Sequence, residues 1–193
     1  GLASTPRRGK VLEFAVNRLG SVTTGLHELA AGDIAGVRGP MGNGFPMEAF
    51  RGKNLVVLGG GIGGAPLRPV IHEVLDNRAE YGHLNILWAA RHPSLLVFTD
   101  EYEAWRGAPD TDLHLTVDQP DATWDHGVGL ITDLLERVAP SPANAVAIVC
   151  GPPIMVYNVD RLLDRLGFAP EHRYVTLEAR MHCGIGKCGR CNL

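Results

Sequence analysis

A chain of 193 residues with 45 % hydrophobic and 20 % charged side chains is long enough to bury a core, and this composition excludes intrinsic disorder and fibrous architectures. The formal net charge of −3 and the lack of a basic block exclude a general nucleic-acid binder, which needs a basic face to displace counterions. The main apolar stretches, residues 55–67 and 143–159, are interrupted by Gly and Pro and fall short of the roughly 18–20 apolar residues of a membrane span, which predicts a soluble chain without membrane insertion.

Residues 1–6 carry neither the basic flank nor the apolar run of a secretory signal, so the expected location is cytoplasmic. Residues 11–17 alternate in the manner of a strand, residues 23–30 predict a short helix with Thr23 near its N-cap, and residues 33–38 predict another strand. This is too little for a closed barrel, so residues 1–50 read as part of a domain that begins upstream. Residues 38–46, rich in Gly and Pro, mark the boundary. From residue 54 short apolar strands (55–58, 84–90, 113–117, 145–150) alternate with helical stretches (67–77, 99–105, 129–138, 153–166), the last capped by Gly167. That alternation predicts a parallel sheet covered by helices on both faces, with any ligand at the carboxyl ends of the strands. A short strand over residues 173–177 leads into a cysteine-rich tail.

Four segments carry chemistry. Gly59, Gly61 and Gly64 satisfy G-x-G-x-x-G between a strand and a helix, where Gly61, Ile62, Gly63 and Gly64 can present backbone N–H groups to a pyrophosphate. The second strand of this unit ends in Arg91 rather than in the acidic residue that binds a ribose 2′-hydroxyl; an arginine there suits a 2′-phosphate, or is simply exposed surface. Cys150-Gly151-Pro152-Pro153-Ile154-Met155 closes the last main strand, where a ligand's reacting end would lie, although a lone Cys in such a place is commonly core packing. Gly20, Val22, Thr23 and Thr24 offer amides and hydroxyls at a helix start, a phosphate-binding geometry that is also an ordinary cap. The tail places Cys183, Cys188 and Cys191 in C-x4-C-x2-C spacing with intervening glycines, as in plant-type [2Fe–2S] ligation. Zinc, with His182 as a further ligand, competes, and the fourth thiolate is either Cys150 or a residue beyond Leu193. With no H-E-x-x-H and no G-x-S-x-G, hydrolytic readings have no support.

In their order along the chain these motifs resemble the ferredoxin-NADP reductase superfamily, and within it the NAD(P)-reactive subunits of soluble [NiFe] hydrogenases. The B subunit of anaerobic sulfite reductase and the electron-transfer subunit of dihydroorotate dehydrogenase look similar. The resemblance implies an α/β architecture with three parts: the end of an antiparallel flavin barrel over residues 1–50, a parallel-sheet NAD(P) domain over 51–176, and the start of a [2Fe–2S] segment over 177–193. It assigns Gly20, Val22, Thr23, Thr24 and Arg38 to FAD and Gly61–Gly64 with Arg91 to NAD(P). Cys150, Gly151, Pro152 and Met155 fall beside the nicotinamide, Glu178 near the flavin ring, and Cys183, Cys188 and Cys191 on the cluster. The family's flavin signature would fall before Gly1 and its fourth cluster cysteine after Leu193. The activity so implied is a diaphorase, an oxidoreductase subunit relaying electrons between NAD(P)H, FAD and a [2Fe–2S] cluster to or from a partner redox subunit. A dinucleotide-sensing module with a zinc-bearing tail, and a stand-alone flavin reductase, are the competing readings.

Overall fold

The computed structural model of the chain describes residues 1–176, 183 and 187–189 and divides into two units. The smaller contains residues 16–45 and carries one helix, α1 (Ser21–His27). Its first turn is fixed from within: the Thr23 hydroxyl accepts from the amides of Leu19 (2.9 Å) and Gly20 (3.0 Å) and donates to the Gly20 carbonyl. The strand expected over residues 33–38 does not form. Ile34 is 95 % exposed and Val37 is 65 % exposed, and among the described residues no strand pairs with this extended segment, which then gains nothing from pleating.

The larger unit, residues 1–15 and 46–176, is built on six strands: β1 (Asn54–Gly60), β2 (Leu84–Ala90), β3 (Thr111–Val117), β4 (Gly127–Val128), β5 (Ala145–Cys150) and β6 (Arg173–Val175). They form one parallel sheet in the order β4-β3-β2-β1-β5-β6. Its helices are α2 (Arg68–Asp76), α3 (Tyr102–Arg106), α4 (Ile131–Val138) and α5 (Pro153–Arg165). Register sorts the strand residues onto two faces. Val56 pairs with Asn85 and Ala147, and Leu58 with Leu87 and Val149; this face is buried with Leu134 and Leu135 of α4, Val159, Leu162 and Leu163 of α5, and Phe168. On the other face Leu55, Val57, Ile86, Trp88 and Ile148 are equally buried, and Trp88 meets Trp105 of α3 edge to face at 5.5 Å. Burial on both faces is why these strands read as unbroken apolar runs.

Boundaries moved for identifiable reasons. Residues 11–17 supply only a single antiparallel bridge, Phe14 with Leu2, flanked by hydrogen bonds from Ala3 N–H to Glu13 and from Ala15 N–H to Gly1. The helix expected over residues 67–77 is preceded by a 3-10 stretch, Gly61–Leu67, that carries the glycines. The one expected over 99–105 splits into a 3-10 turn, Thr99–Glu101, and α3. In α4 the Asp133 carboxylate accepts from Leu130 N–H, which starts the helix later than its apolar spacing suggests. Two-residue β4 is too short for any alternation to reveal it. Among the described residues no helix is long and apolar enough to cross a membrane.

Candidate functional site

The strand order creates one distinctive place. From β1 the chain runs outward through β2 and β3 to β4 and then returns to the other side of β1 as β5, so β1/β5 is the topological switch point, where open α/β sheets bind ligands beyond the carboxyl strand ends. The two ends there are Gly59-Gly60 and Cys150, paired in register. The structure therefore brings together two segments that lie far apart in sequence.

The glycines divide by what a side chain would meet. At Gly63 a Cβ would lie 2.6 Å from the Cys150 carbonyl oxygen and 2.8 Å from Gly151 Cα, so the loop rests directly on the backbone at the end of β5. At Gly59 it would lie 2.7 Å from the Trp88 indole, and at Gly64 it would enter the same ring. At Gly60 and Gly151 it would meet the Met155 sulfur, which thereby joins the ends of β1 and β5. Gly61 is different, with φ +55° and nothing within 4 Å of the added carbon. Four glycines of the loop, Gly59, Gly60, Gly63 and Gly64, are thus demanded by packing, and Gly61 faces open space at the start of the 3-10 stretch, the cradle the loop offers. A pyrophosphate fits such a cradle, since it offers backbone N–H groups with no side chain in the way.

Cys150 is 9 % exposed at the end of β5, and Gly151 and Pro152 follow it before Pro153 opens α5. At the end of β2 Arg91 is exposed, and the backbone after β3 pairs with it: Asp118 N–H donates to Ala90 and Gln119 N–H to Arg91. Arg91 is thus held at the same carboxyl edge as the glycine loop. In the smaller unit Gly20, Val22, Thr23, Thr24 and Arg38 all lie on the surface or half-buried, and nothing surrounds a Cβ added at Gly20. The Gly20 amide and Thr23 hydroxyl satisfy each other, whereas Val22, 77 % exposed, leaves an apolar surface uncovered. The remaining surface glycine and amides of this helix start are compatible with a phosphate group, but the Thr23 hydroxyl serves as a cap. Cys183 and Cys188 are described, with Cys188 exposed; Glu178, His182 and Cys191 lie outside the described residues. Among the described residues no three metal-ligating side chains gather, so a soft thiolate donor set for the tail rests on its spacing.

Sequence reasoning missed a buried polar cluster behind the glycine loop. Glu101, at the end of its 3-10 turn, accepts from Arg68 Nε at 2.7 Å and from Arg68 Nη2 on one oxygen, and on the other from Trp105 Nε1 at 3.2 Å with His72 Nε2 at 2.6 Å. Arg68 Nη1 donates onward to the Ala3 carbonyl (2.9 Å) and Glu13 (2.6 Å). Nothing in the sequence joins these residues, because they are spread over the N-terminal hairpin, α2 and the 3-10/α3 segment. The nearest signal is the i, i+4 spacing of Arg68 and His72 on α2.

Burial pushes the His72 imidazole below the ordinary histidine range despite the opposing bond to Glu101, and burial does the same to His114. Burial pushes Glu101 upward, but the bonds from Arg68 and His72 prevail and hold it below the usual carboxylate range; the Arg8 guanidinium does the same for Asp76. In the unfolded chain a histidine takes up its proton at about pH 6.5, where these folded ones resist it, so stability falls as pH drops below about 6.5. The carboxylate contribution is complete above the ordinary carboxylate range and is lost as pH falls through the depressed folded values. We expect denaturation midpoints to decline from pH 7 to 5 and His72→Gln to flatten that decline; an unchanged slope would refute the assignment to His72.

Comparison with known proteins bears on this geometry. The model of the oxidoreductase NAD-binding domain matches residues 57–161. The gamma subunit of sulfhydrogenase 1 from Pyrococcus furiosus is 37 % identical over 194 residues, covering 100 % of this chain and 66 % of that subunit. A probable dihydroorotate dehydrogenase B electron-transfer subunit from Methanothermobacter thermautotrophicus is 33 % identical, covering 93 % of this chain and 61 % of its own length. A ferredoxin NADP+ reductase from Neisseria gonorrhoeae, solved with FAD and NADP, has a TM-score of 0.70 over 91 % of this chain and 77 % of that one at 20 % identity, a likeness of fold. The chain thus spans about two thirds of the length of the sulfhydrogenase subunit it matches.

Proposed function

Since the chain belongs to the oxidoreductase NAD-binding domain family, of the ferredoxin-NADP reductase type, we propose that it is the electron-transfer part of an NAD(P)H-linked flavoprotein subunit serving a partner redox subunit. The single observation that carries this reading is the open space at Gly61, in a loop that rests through Gly63 on Cys150-Gly151 at the switch point. The sulfhydrogenase relatives make a soluble [NiFe] hydrogenase of the cytoplasm the partner we favour.

In this reading residues 1–50 close a flavin barrel, 51–176 bind the dinucleotide and 177–193 open the cluster segment. When bound, the cofactors supply hydride transfer between nicotinamide and flavin and one-electron relay through the [2Fe–2S] cluster. The chain's own residues position and exclude. Gly61, Ile62, Gly63 and Gly64 would hold the pyrophosphate through backbone N–H groups, and Arg91 would take the adenosine ribose or its 2′-phosphate. Cys150, Gly151 and Pro152, backed by the Met155 thioether, would supply the wall for the nicotinamide ring. Gly20, Val22, Thr23, Thr24 and Arg38 would hold the flavin phosphates, Thr23 through its backbone amide since its hydroxyl caps the helix, Glu178 would serve the flavin ring, and Cys183, Cys188 and Cys191 would supply thiolates to the cluster.

The test is an anaerobic absorption spectrum of the protein expressed from its full gene, with flavin, iron and zinc quantified, before and after NADH or NADPH. Flavin bands and about two irons per chain, bleached by one nucleotide, support the relay. Zinc without flavin or iron, and no response to either nucleotide, would replace it with a dinucleotide-sensing module. Arg91→Ala is expected to raise KM for NADPH about tenfold and to alter KM for NADH by less than twofold if Arg91 meets a 2′-phosphate, as steady-state kinetics with an artificial acceptor would show.

A further inference from the structure

The Glu101 cluster has no place in the chemistry just described, yet it touches the supports of the glycine loop on two sides. Arg68 is the first residue of α2 and directly follows the Gly61–Leu67 stretch. Its fork is bound through Nε and Nη2 to one Glu101 oxygen. The other oxygen accepts from Trp105 Nε1, and the Trp105 ring lies edge to face on Trp88. Trp88 fills the space beneath Gly59 and Gly64, and its strand ends at Ala90, directly before Arg91. One carboxylate therefore links the exit of the glycine loop with the strand that leads into Arg91, the residue assigned above to the adenosine side.

The surroundings shield this link and hold it from several sides. Glu101 and Arg68 side chains are 18 % and 13 % exposed and that of His72 4 %, so the ionic hydrogen bonds are shielded from solvent. The Arg68 guanidinium also stacks on the Phe98 ring at 4.8 Å, with Phe98 itself in the left-handed backbone region at φ 61°. The N-terminal hairpin is strapped along the same helix: Arg68 holds Ala3 and Glu13, Arg7 meets Glu73 and Asn77, and Arg8 makes a bidentate pair with Asp76. A loop that binds through backbone N–H groups depends on where its backbone stands, since displacement by about 1 Å loses the near-ideal hydrogen-bond distances.

We propose that Glu101, acting through Arg68 and Trp105, is a positioning residue that sets the dinucleotide loop against the end of β2; the proposal rests on the dinucleotide reading of that loop. Glu101→Gln keeps the side chain's shape and one acceptor oxygen but turns an N–H2 group toward one set of donors, either those of Arg68 or those of His72 and Trp105. Using the protein expressed from its full gene, calorimetric titration with NADH and NADPH is expected to show a tenfold or greater rise in Kd for the preferred nucleotide. In steady state KM should rise by a similar factor, with a smaller change in kcat. Glu103→Gln, an exposed carboxylate on α3 paired only with Arg106 among the described contacts, serves as the control and should leave Kd unchanged. If Glu101→Gln yields no folded protein, Arg68→Lys supplies the same readout, because a single ammonium cannot serve Glu101, Ala3 and Glu13 together. A variant that melts earlier yet binds nucleotide like the wild type would show a merely structural cluster and overturn the proposal. Failure of the wild type to bind either nucleotide would instead overturn the dinucleotide reading itself.

Discussion

Replacing Trp88 with alanine should lower the unfolding free energy by about 3–5 kcal/mol, the range for truncating a fully buried large aromatic. Trp88 is 1 % exposed, and its ring is confined by Gly59 and Gly64 on one side and the Trp105 edge on another. Those neighbours cannot collapse inward. The glycines have no side chains to advance, and Trp105 is tied through Nε1 to Glu101. The cavity should persist, which puts the cost toward the upper part of the range. Urea denaturation reads this as a lower midpoint with an unchanged slope. A loss under 1 kcal/mol would mean that the sheet face relaxes around the gap.

The second large effect separates two glycines of one loop. Gly63→Ala places a methyl 2.6 Å from the Cys150 carbonyl oxygen, and neither partner is a flexible side chain, so the loop must lift off the end of β5. Overpacking of this kind costs about 1–3 kcal/mol, and the lifted loop should also lose dinucleotide affinity by tenfold or more. Gly61→Ala meets nothing within 4 Å, and its only local cost is the left-handed backbone at φ +55°, about 1–2 kcal/mol. Its methyl enters the space assigned to the pyrophosphate, so affinity should fall at least as far while stability falls less. Parallel calorimetric titrations and urea curves distinguish the two. If Gly61→Ala binds nucleotide normally, that cradle is not the phosphate site.

The doubly covered sheet was legible because its strands are short apolar runs with turns between them; the limits of β2 and β5 follow directly from residues 84–90 and 145–150. The strand order was not legible, since nothing in residues 145–150 states that they return to the far side of β1. The glycine motif could be read for its context, but not for the division of labour within it. That depends on Trp88, Cys150 and Met155, which meet the loop only in space. Residues 33–38 show the opposite failure. Their alternation is genuine, but a strand is a pairing, and among the described residues no partner strand meets them. Thr23 read as a possible phosphate ligand but more commonly as a cap, and local hydrogen bonds occupy its hydroxyl as a cap.

The strand order also bears on how the chain acquires its shape. The central strand β1 pairs on one side with β2, close in sequence, and on the other with β5, where Asn54 stands opposite Ala145. Until β5 has been synthesised, one edge of β1 presents unpaired N–H and C=O groups on an apolar strand, the template on which chains associate wrongly. Closing so long an intervening loop is also the slow kind of step in folding. A nascent chain halted before residue 145 should therefore be a substrate for chaperones, and completion of the ligand crevice and release from that hazard become one event on the ribosome.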